Sequence, residues 1–237
     1  MKKLFYVIVS VLLVTSCSEA RTVSTNLSTS IAGDPLMSIS SAQSSNDSSS
    51  PILTSTANII SVAGPITLSR NDLFNLTKKQ EYLSIVHTSG KYYEDWSPGP
   101  FMGRTWEGEF QIQLSDENGE VKSAVELNAY FNDDIVFNSF FDIEFDDYNG
   151  DGNIDFTIGQ YASSNGGIYK LFTLGNTGLI EELTIKGHPV LFVSGTGRYS
   201  TKLTKTKSGF LSSYYDNSTG KDIKQNFVWD GEQFVKS

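Results

Sequence analysis

The sequence contains few of the residues from which catalytic or disulfide-bonded sites are built. Among its 237 residues there is one cysteine, Cys17, so no disulfide can form within the chain. The two histidines, His87 and His188, lie in no metal-ligand or nucleophile motif, and we interpret them as structural or surface residues. The chain also lacks the G-x-S-x-G motif of serine hydrolases. We therefore expect a protein that is not an enzyme.

Two further patterns fall short of a catalytic motif. Glu107 and Glu109 share one face of a predicted strand, as a pair of glycosidase carboxylates could. Gln111 and Gln113 continue that face, which favours a solvated strand surface. Residues 195–198 have the glycine spacing of a phosphate loop, but no helix follows them, so we predict a turn.

Positive charge is also scarce. The chain has 18 Lys and Arg residues against 27 Asp and Glu residues, which gives a formal net charge of −9. Residues 1–16 contain two lysines and no acidic residue, so their removal makes the net charge −11. An acidic surface argues against binding to nucleic acid and against electrostatic docking on anionic lipid. It suits a cation-binding protein outside the cytoplasm.

The N-terminus has the features of a bacterial targeting segment. Lys2 and Lys3 precede an apolar stretch from Leu4 to Val14, which is too short to span a bilayer as a helix. The next residues, Val14-Thr-Ser-Cys17, resemble a bacterial lipobox, in which the cysteine is lipidated and becomes the new N-terminus. The resemblance implies that residues 1–16 are a lipoprotein signal peptide and that Cys17 anchors the chain to a membrane on the extracytoplasmic side of the cell envelope. A plain secretory signal with an incidental cysteine is the alternative.

The chain after Cys17 divides into a tether and a domain. Residues 17–56 are rich in Ser and Thr and have few large apolar residues, so they cannot bury enough surface to offset the entropy of ordering. We interpret this segment as a flexible tether. Residues 57–237 are long enough to form one domain with a sizeable core.

Strand patterns dominate the domain. Residues 106–114 alternate between apolar and polar side chains, and Asn118-Gly119 is a strong hairpin signal. Similar short strands recur with turn signals about every 8–12 residues. One short helix is predicted between Asn71 and Gln80, with Ser69 or Asn71 as its cap. We therefore predict an all-β domain of antiparallel hairpins in a propeller-like or sandwich arrangement, with at most one short helix.

One acidic stretch has the composition of a calcium loop. Its positions 1, 3, 5, 7 and 9 are Asp147, Asn149, Asp151, Asn153 and Asp155, and its position 6 is Gly152. Calcium takes about 6–8 oxygen ligands, and carboxylates, amide oxygens and a backbone carbonyl would supply them here. Gly152 permits the sharp turn around the ion. The alternative is an acidic turn without metal, in which the three carboxylates repel one another.

The residues around this stretch exclude an EF-hand. Position 12 is Ile158 where an EF-hand has Glu, and both flanks alternate with the period of strands. The segment FDDYNGDGNIDFTIGQ resembles the calcium-binding loop of FG-GAP/VCBS-type repeats, as in the integrin α-chain propeller and many bacterial surface proteins. The resemblance covers about residues 141–174, a single repeat. It implies a strand–loop–strand calcium clasp in an extracytoplasmic protein and no catalytic activity.

Two segments are candidates for ligand binding. Residues 92–106 are rich in aromatic residues and punctuated by Pro and Gly, so we predict a long loop. Its candidate binding residues are Tyr92, Tyr93, Trp96, Phe101 and Trp106. Exposed aromatic side chains stack on sugar rings or anchor protein partners, although these side chains could also form a small core beneath the loop. The second candidate is the segment from Tyr161 to Gly167, which could be a functional loop or only a wide turn.

These observations favour a lipid-anchored, calcium-binding β domain that binds a surface glycan, a cell-wall component or another envelope protein. The alternative is an inhibitor or immunity-type lipoprotein that acts on a cell-wall hydrolase. A glycan-active enzyme is the least favoured interpretation.

Overall fold

The computed structural model describes residues 58–195 and 197–237, all within one compact unit that spans Leu53–Ser237. This part of the chain is all-β and antiparallel, with one short α-helix, α1, at Phe74–Thr77 and a 3-10 helix at Leu127–Tyr130. The predicted fold class is therefore confirmed. The predicted signal peptide, Cys17 and the tether lie outside the described residues.

The first sheet is organised around the two longest strands of the described chain, β3 and β4. They pair along their whole length, from Glu81 opposite Asp116 to Asp95 opposite Gly103. β1 and β2 pair with β3, and β5 and β6 pair with β4. The strands are β1 Ile60–Val62, β2 Ile66–Asp72, β3 Glu81–Asp95, β4 Gly103–Asp116, β5 Val121–Glu126 and β6 Ile135–Phe137.

The predicted helix is shorter than the sequence indicated. Asn71 and Ser69, the expected caps, lie in strand β2, where the side chain of Asn71 donates to Ser69 Oγ at 2.9 Å. The carboxylate of Asp72 accepts a hydrogen bond from the backbone N–H of Phe74 at 2.8 Å. The helix then ends at Lys78, which adopts a left-handed conformation with a φ of 61°. The prediction of one short helix is confirmed, and the predicted caps are wrong.

The second and third sheets follow in chain order. In the second sheet β9 lies between β8 and β10 and also pairs with β11, while β7 pairs with β8. The third sheet is a meander of four strands. The strands are β7 Phe145–Asp146, β8 Ile154–Ser163, β9 Gly166–Leu174, β10 Ile180–Glu182, β11 Leu191–Val193, β12 Thr204–Lys205, β13 Gly209–Asp216, β14 Lys221–Trp229 and β15 Phe234–Lys236.

The second sheet has a core on each face. On β9, Phe172 and Leu174 belong to a core shared with the first sheet, whereas Leu171 belongs to a core shared with the third sheet. Because successive side chains of a strand point to opposite faces, this alternation places the second sheet between the two cores. β9 is thus buried on both faces and is a central strand of the second sheet.

The strand expected before the acidic loop forms only in part. Ile143 is buried and Phe141 is half-buried, as the alternation predicts, but only Phe145 and Asp146 pair as β7. The backbone N–H of Ile143 donates instead to the side chain of Asn71 at 2.8 Å. The N–H of Phe141 donates to the carbonyl of Leu68 at 3.3 Å. The segment is thus held to β2 of the first sheet rather than to β8.

Candidate functional site

The acidic loop joins strands β7 and β8, as the sequence predicts. Phe145 pairs with Phe156 and Asp146 with Asp155, so the loop closes where the two strands meet. The backbone of Gly152 has a φ of 83°, a region that costs glycine nothing and most other residues 1–2 kcal/mol or so. The sharp turn expected at this position is therefore present.

The side chain of Asp147 binds the backbone of the loop. It accepts hydrogen bonds from the N–H groups of Gly150 and Gly152, at 2.7 and 3.3 Å. A cation also lies beside it: Lys205 Nζ is 3.8 Å from Asp147 Oδ2 and 3.5 Å from Asp146 Oδ1. Part of the negative charge at the start of the loop is thus offset by lysine.

Asp151 is enclosed by amides. Its Oδ1 accepts the backbone N–H of Asn153 at 2.8 Å. Its Oδ2 accepts the side-chain amides of Asn149 and Asn153, at 2.9 and 3.0 Å. The side-chain oxygen of Asn149 in turn accepts the N–H of Asp151 at 3.1 Å. Asp147 and Asp151 therefore both turn toward donors of the loop itself.

Asp155 differs from the other loop acids because it is fully buried. Its Oδ2 accepts the backbone N–H groups of Tyr148 and Asn149, at 2.7 and 3.4 Å. Its Oδ1 has no hydrogen-bond partner of acceptable geometry, although Thr173 lies opposite in the β8–β9 register. Burial raises the pKa of Asp155 to about 6, against the smaller lowering effect of Thr173 and the two N–H groups. A buried carboxylate with an open oxygen is costly unless a cation or donor completes it.

The five predicted ligands lie on one loop, but their carboxylates do not converge on a common point. Among residues 58–195 and 197–237, no group of three or more His, Cys, Asp or Glu side chains is arranged to hold a metal. The atoms that these five residues would offer to a metal are all oxygens, which matches the preference of calcium. The unpartnered Oδ1 of Asp155 provides one unfilled ligand position. Calcium would have to draw Asp147 and Asp151 away from part of their present hydrogen bonds.

Tyr148 ties the loop to the third sheet. Its side chain is 1% exposed and belongs to the core shared by the second and third sheets. Its ring contacts Phe210 edge-on, with centroids 5.7 Å apart. Its hydroxyl accepts the backbone N–H of Leu203 at 3.0 Å. The loop is therefore anchored in this core through Tyr148, whereas Asp151 is exposed.

The aromatic segment is a hairpin rather than a long loop. Tyr92 lies in β3 and Trp106 in β4, directly opposite each other in the register, with ring centroids 5.4 Å apart. Trp106 is 6% exposed and belongs to the core, which corrects its assignment to a binding surface. Only residues 96–102 form the connection, because the long β3–β4 ladder satisfies the backbone on both sides. Trp96, at its tip, is 65% exposed.

The remaining candidates divide between strand and tip. Tyr93 is half-buried on β3, and its hydroxyl donates to Glu107 at 3.3 Å. Phe101 is half-buried and contacts Tyr161 edge-on, with ring centroids 5.6 Å apart. The two segments proposed from sequence as separate binding candidates thus meet in space.

Arg198 completes this cluster. Its guanidinium lies 5.2 Å from the ring centroid of Phe101 and 5.5 Å from that of Tyr161. It also donates to the carbonyl of Pro100. Sequence reasoning did not place Arg198 in a candidate site and treated its segment only as a turn. The unusual glycine spacing before it was the one local signal of a special backbone.

Two cavities flank Tyr161. The first has a volume of about 340 Å³ and is lined by aromatic residues and by a rim that includes Asp133 and Asp134. The second, of about 470 Å³, is lined by Arg198, Asn165, Tyr169 and several serines and glycines. Aromatic surfaces beside a few polar groups are typical of small-molecule and saccharide sites.

The histidines take no part in these features. His87 is fully buried and stacks on Phe110 with ring centroids 4.6 Å apart. Burial lowers the pKa of His87. His188 contacts Phe227 edge-on, with centroids 5.4 Å apart. Both positions agree with the structural role expected from sequence.

Comparison with known proteins gives one result at the N-terminus. Residues 1–18 match the family model of the prokaryotic membrane lipoprotein lipid attachment site. No curated protein and no solved structure matches the chain. Among the described residues, none of the helices has the length and apolar character needed to cross a membrane. The match supports the interpretation of the chain as a bacterial lipoprotein that is anchored to a membrane through lipid.

Proposed function

We propose that this lipoprotein is an extracytoplasmic binding module for a glycan of the cell surface or cell wall. The observation that carries the proposal is the meeting of Phe101 and Tyr161 between two cavities. Aromatic faces stack on sugar rings, and the carboxylates and amides nearby can bond to sugar hydroxyls. Lipid attachment at Cys17 would hold this surface at the membrane, with residues 17–56 as the tether.

Binding to glycan arrays and isolated cell wall tests this proposal. The mature protein should bind without releasing products, and Tyr161→Ala should weaken binding at least several-fold by removing the stacking surface. Tyr215→Ala, a change at a partly exposed tyrosine in the third sheet, is the matched control and should leave binding unchanged. Product release would show an enzyme instead, and equal binding by the Tyr161 variant would remove the cluster as the site.

Exposed apolar residues near the hairpin tip favour a second candidate, an inhibitor of a cell-wall hydrolase. Trp96, Met102 and Phe140 are 65%, 51% and 61% exposed. A projecting apolar tip can anchor in a pocket of a protein partner. A hydrolase assay with and without the protein separates the candidates. An inhibitor binds the hydrolase and slows it directly, whereas a glycan-binding module slows hydrolysis only by covering the glycan substrate.

We further propose that the acidic loop binds calcium, in line with its resemblance to FG-GAP/VCBS-type loops. Asp147, Asn149, Asp151 and Asp155 would supply side-chain oxygens, and Asn153 its backbone carbonyl. The unpartnered Oδ1 of buried Asp155 supports this assignment most directly. Bound calcium would compensate the buried carboxylate and hold β7 to β8. The competing interpretation is a metal-free loop whose charge is offset by Lys202 and Lys205.

Calorimetry and thermal unfolding test the calcium proposal. Calcium should raise the melting temperature of chelator-treated protein, and magnesium should do so poorly because it requires a smaller, near-octahedral shell. Asp155→Asn should abolish the calcium effect, whereas Asp142→Asn, at an exposed acid outside the loop, should retain it. A wild-type protein with the same melting temperature in EDTA and in calcium would leave the loop as an acidic turn.

A further inference from the structure

The second cavity beside Tyr161 differs in charge from the protein as a whole. The chain has a formal net charge of −9, yet no acidic residue lines this cavity in the described part of the chain. Its one charged lining residue is Arg198. The other lining residues are Pro100, Tyr161, Ser163, Ser164, Asn165, Gly166, Gly167, Tyr169, Gly195 and Gly197. A cationic pocket on an acidic protein marks a place where a negative group can approach.

Arg198 also lacks a carboxylate partner, although some other cations of the described residues have one. Ion pairs join Lys91 to Glu107 and Lys170 to Glu182, both at 2.7 Å. Within residues 58–195 and 197–237, no carboxylate forms an ion pair with Arg198, and its Nε has no hydrogen-bond acceptor. The guanidinium is held instead by the carbonyl of Pro100 and by aromatic rings. Its position is fixed while its charge is left unneutralised.

The rings around the guanidinium restrict what can neutralise it. Arg198 lies within 5.5 Å of the ring centroids of Phe101, Tyr161 and Tyr199. A planar guanidinium pairs best with a carboxylate or a similar oxyanion, through parallel N–H···O bonds. A ligand paired with Arg198 would lie beside Tyr161, which borders both cavities. The ligand therefore needs an anionic group joined to a ring or chain that can lie against an aromatic face.

The first cavity indicates what the rest of the ligand carries. Its rim holds Asn132, Asp133 and Asp134, all exposed, and Gln160 lies within it. Lys170 also lines this cavity, but its ammonium group is paired with Glu182 at 2.7 Å. Carboxylates and amide oxygens accept hydrogen bonds from hydroxyl groups, but the two aspartates would repel a second anionic group there. The two cavities thus favour hydroxyls on one side of Tyr161 and a negative group on the other.

We infer that the cleft formed by these two cavities binds an acidic saccharide, with a sugar carboxylate on Arg198 and sugar hydroxyls at the Asp133–Asp134 rim. This inference rests on the proposed glycan-binding function and names its ligand class. Tyr161 serves as the stacking surface between the two ends. Arg198 is the residue that determines preference for acidic over neutral sugars.

The test compares two probes that differ only in charge. A uronic-acid tetrasaccharide and the same tetrasaccharide with its carboxylates reduced to alcohols are titrated into the mature lipoprotein in detergent micelles. The wild type should bind the acidic probe roughly tenfold or more tightly than the reduced one, the effect of one charge-assisted pair. Added salt should narrow this difference.

Variants assign the preference to the cleft. Arg198→Gln should lose the preference, with binding of the acidic probe weakened roughly tenfold more than binding of the reduced probe, and Arg198→Lys should restore only part of the preference because lysine lacks the planar fork. Arg104→Gln, which changes an exposed arginine on β4 paired with Glu94, is the matched control and should keep the preference. A sulfated probe of the same length distinguishes sulfate from carboxylate as the group bound.

Several outcomes would overturn the inference without touching the broader proposal. If the wild type binds both probes equally, glycan binding stands and the acidic-sugar assignment is wrong. If Arg198→Gln keeps the preference for the acidic probe, another site binds the carboxylates of that probe. If the wild type binds neither probe but binds neutral glycans, the inference fails alone. A wild type without the preference overturns the inference even if a variant does not fold.

Discussion

Removal of one hydroxyl group from Tyr148 tests how the acidic loop is attached to the domain. Tyr148→Phe keeps the ring in the core and its contact with Phe210 but deletes the acceptor of the Leu203 N–H. Leu203 is 3% exposed, so water cannot easily replace the lost acceptor. Leaving a buried donor unsatisfied costs about 1–3 kcal/mol. We therefore expect Tyr148→Phe to lower the free energy of unfolding by about 1–3 kcal/mol.

Truncation of the whole Tyr148 side chain should cause a larger loss in the free energy of unfolding. Tyr148→Ala removes the same hydrogen bond and also leaves a cavity among Phe210 and its neighbours, so a loss of about 3–5 kcal/mol is expected. Tyr215→Phe is the control, because Tyr215 is 39% exposed and changes of this kind at the surface stay within about 0.5 kcal/mol. Burial also raises the pKa of Tyr148 to about 12, so its hydroxyl stays protonated throughout the measurement.

Urea unfolding of residues 17–237, followed by tryptophan fluorescence in EDTA, provides the measurement. The chelator removes any contribution of metal to the loop, so the difference reports the hydrogen bond and packing alone. If Tyr148→Phe unfolds at the same urea concentration as the wild type with an unchanged slope, the bond to Leu203 contributes nothing. In that case the loop is not anchored through the hydroxyl, and the reasoning is refuted.

Three further predictions address charge, anchoring and the hairpin tip. The ordinary pKa of Asp155 is 3.8, and its pKa in the folded chain is about 6. In EDTA, at pH values between these two, the folded chain therefore holds a proton on Asp155 that the unfolded chain has released. Stability should therefore increase by about 3 kcal/mol as the pH falls through this window, and Asp155→Asn, compared by urea unfolding at each pH, should lack the gain. Cys17→Ser should abolish metabolic labelling with fatty acid; unchanged labelling and membrane fractionation would contradict lipid attachment. Trp96→Ala should weaken binding to the native ligand or partner with less than about 0.5 kcal/mol lost in stability, because the side chain is 65% exposed; a loss of about 3–5 kcal/mol would show that Trp96 is packed.

The predictable parts of the fold are the strands that have one face buried and the other face exposed to solvent. β4 is the clearest case: Phe110, Ile112 and Leu114 are buried, while Gln111 and Gln113 between them are partly exposed. Asn118-Gly119 then forms the predicted turn into β5. Local alternation and turn residues carry this information because a strand's side chains change face at every residue.

β3 escaped prediction for the opposite reason. From Leu83 to His87 every residue is buried, so apolar and polar side chains do not alternate there. The segment before it was expected to be a helix, and its second half was assigned to a loop because it belongs to an aromatic-rich segment punctuated by Pro and Gly. Pairing with β4 along its whole length overrides these local preferences. The sequence of either strand alone does not predict such long-range pairing.

The candidate sites show the same division. The acidic loop was found from sequence because its oxygen ligands lie within nine consecutive positions, and the structure confirms the strand after it and, in part, the strand before it. The cluster of Phe101, Tyr161 and Arg198 was not found because its members are far apart in the chain. Each belonged to a segment singled out on its own, but only the tertiary fold shows that they meet.

The geometry of β8 separates the roles of these two sites. The acidic loop closes at Asp155, near the start of the strand, and Tyr161 borders the cleft toward its far end. Six residues of extended strand span about 20 Å, so an ion held by Asp155 could not also contact a saccharide on Tyr161. Phe156 and Ile158, between them, are fully buried in the core shared with the first sheet. Calcium at the loop would therefore act on saccharide binding only by stabilising the strand that carries Tyr161. Its removal should lower the temperature at which saccharide binding is lost, while the affinity well below that temperature stays unchanged.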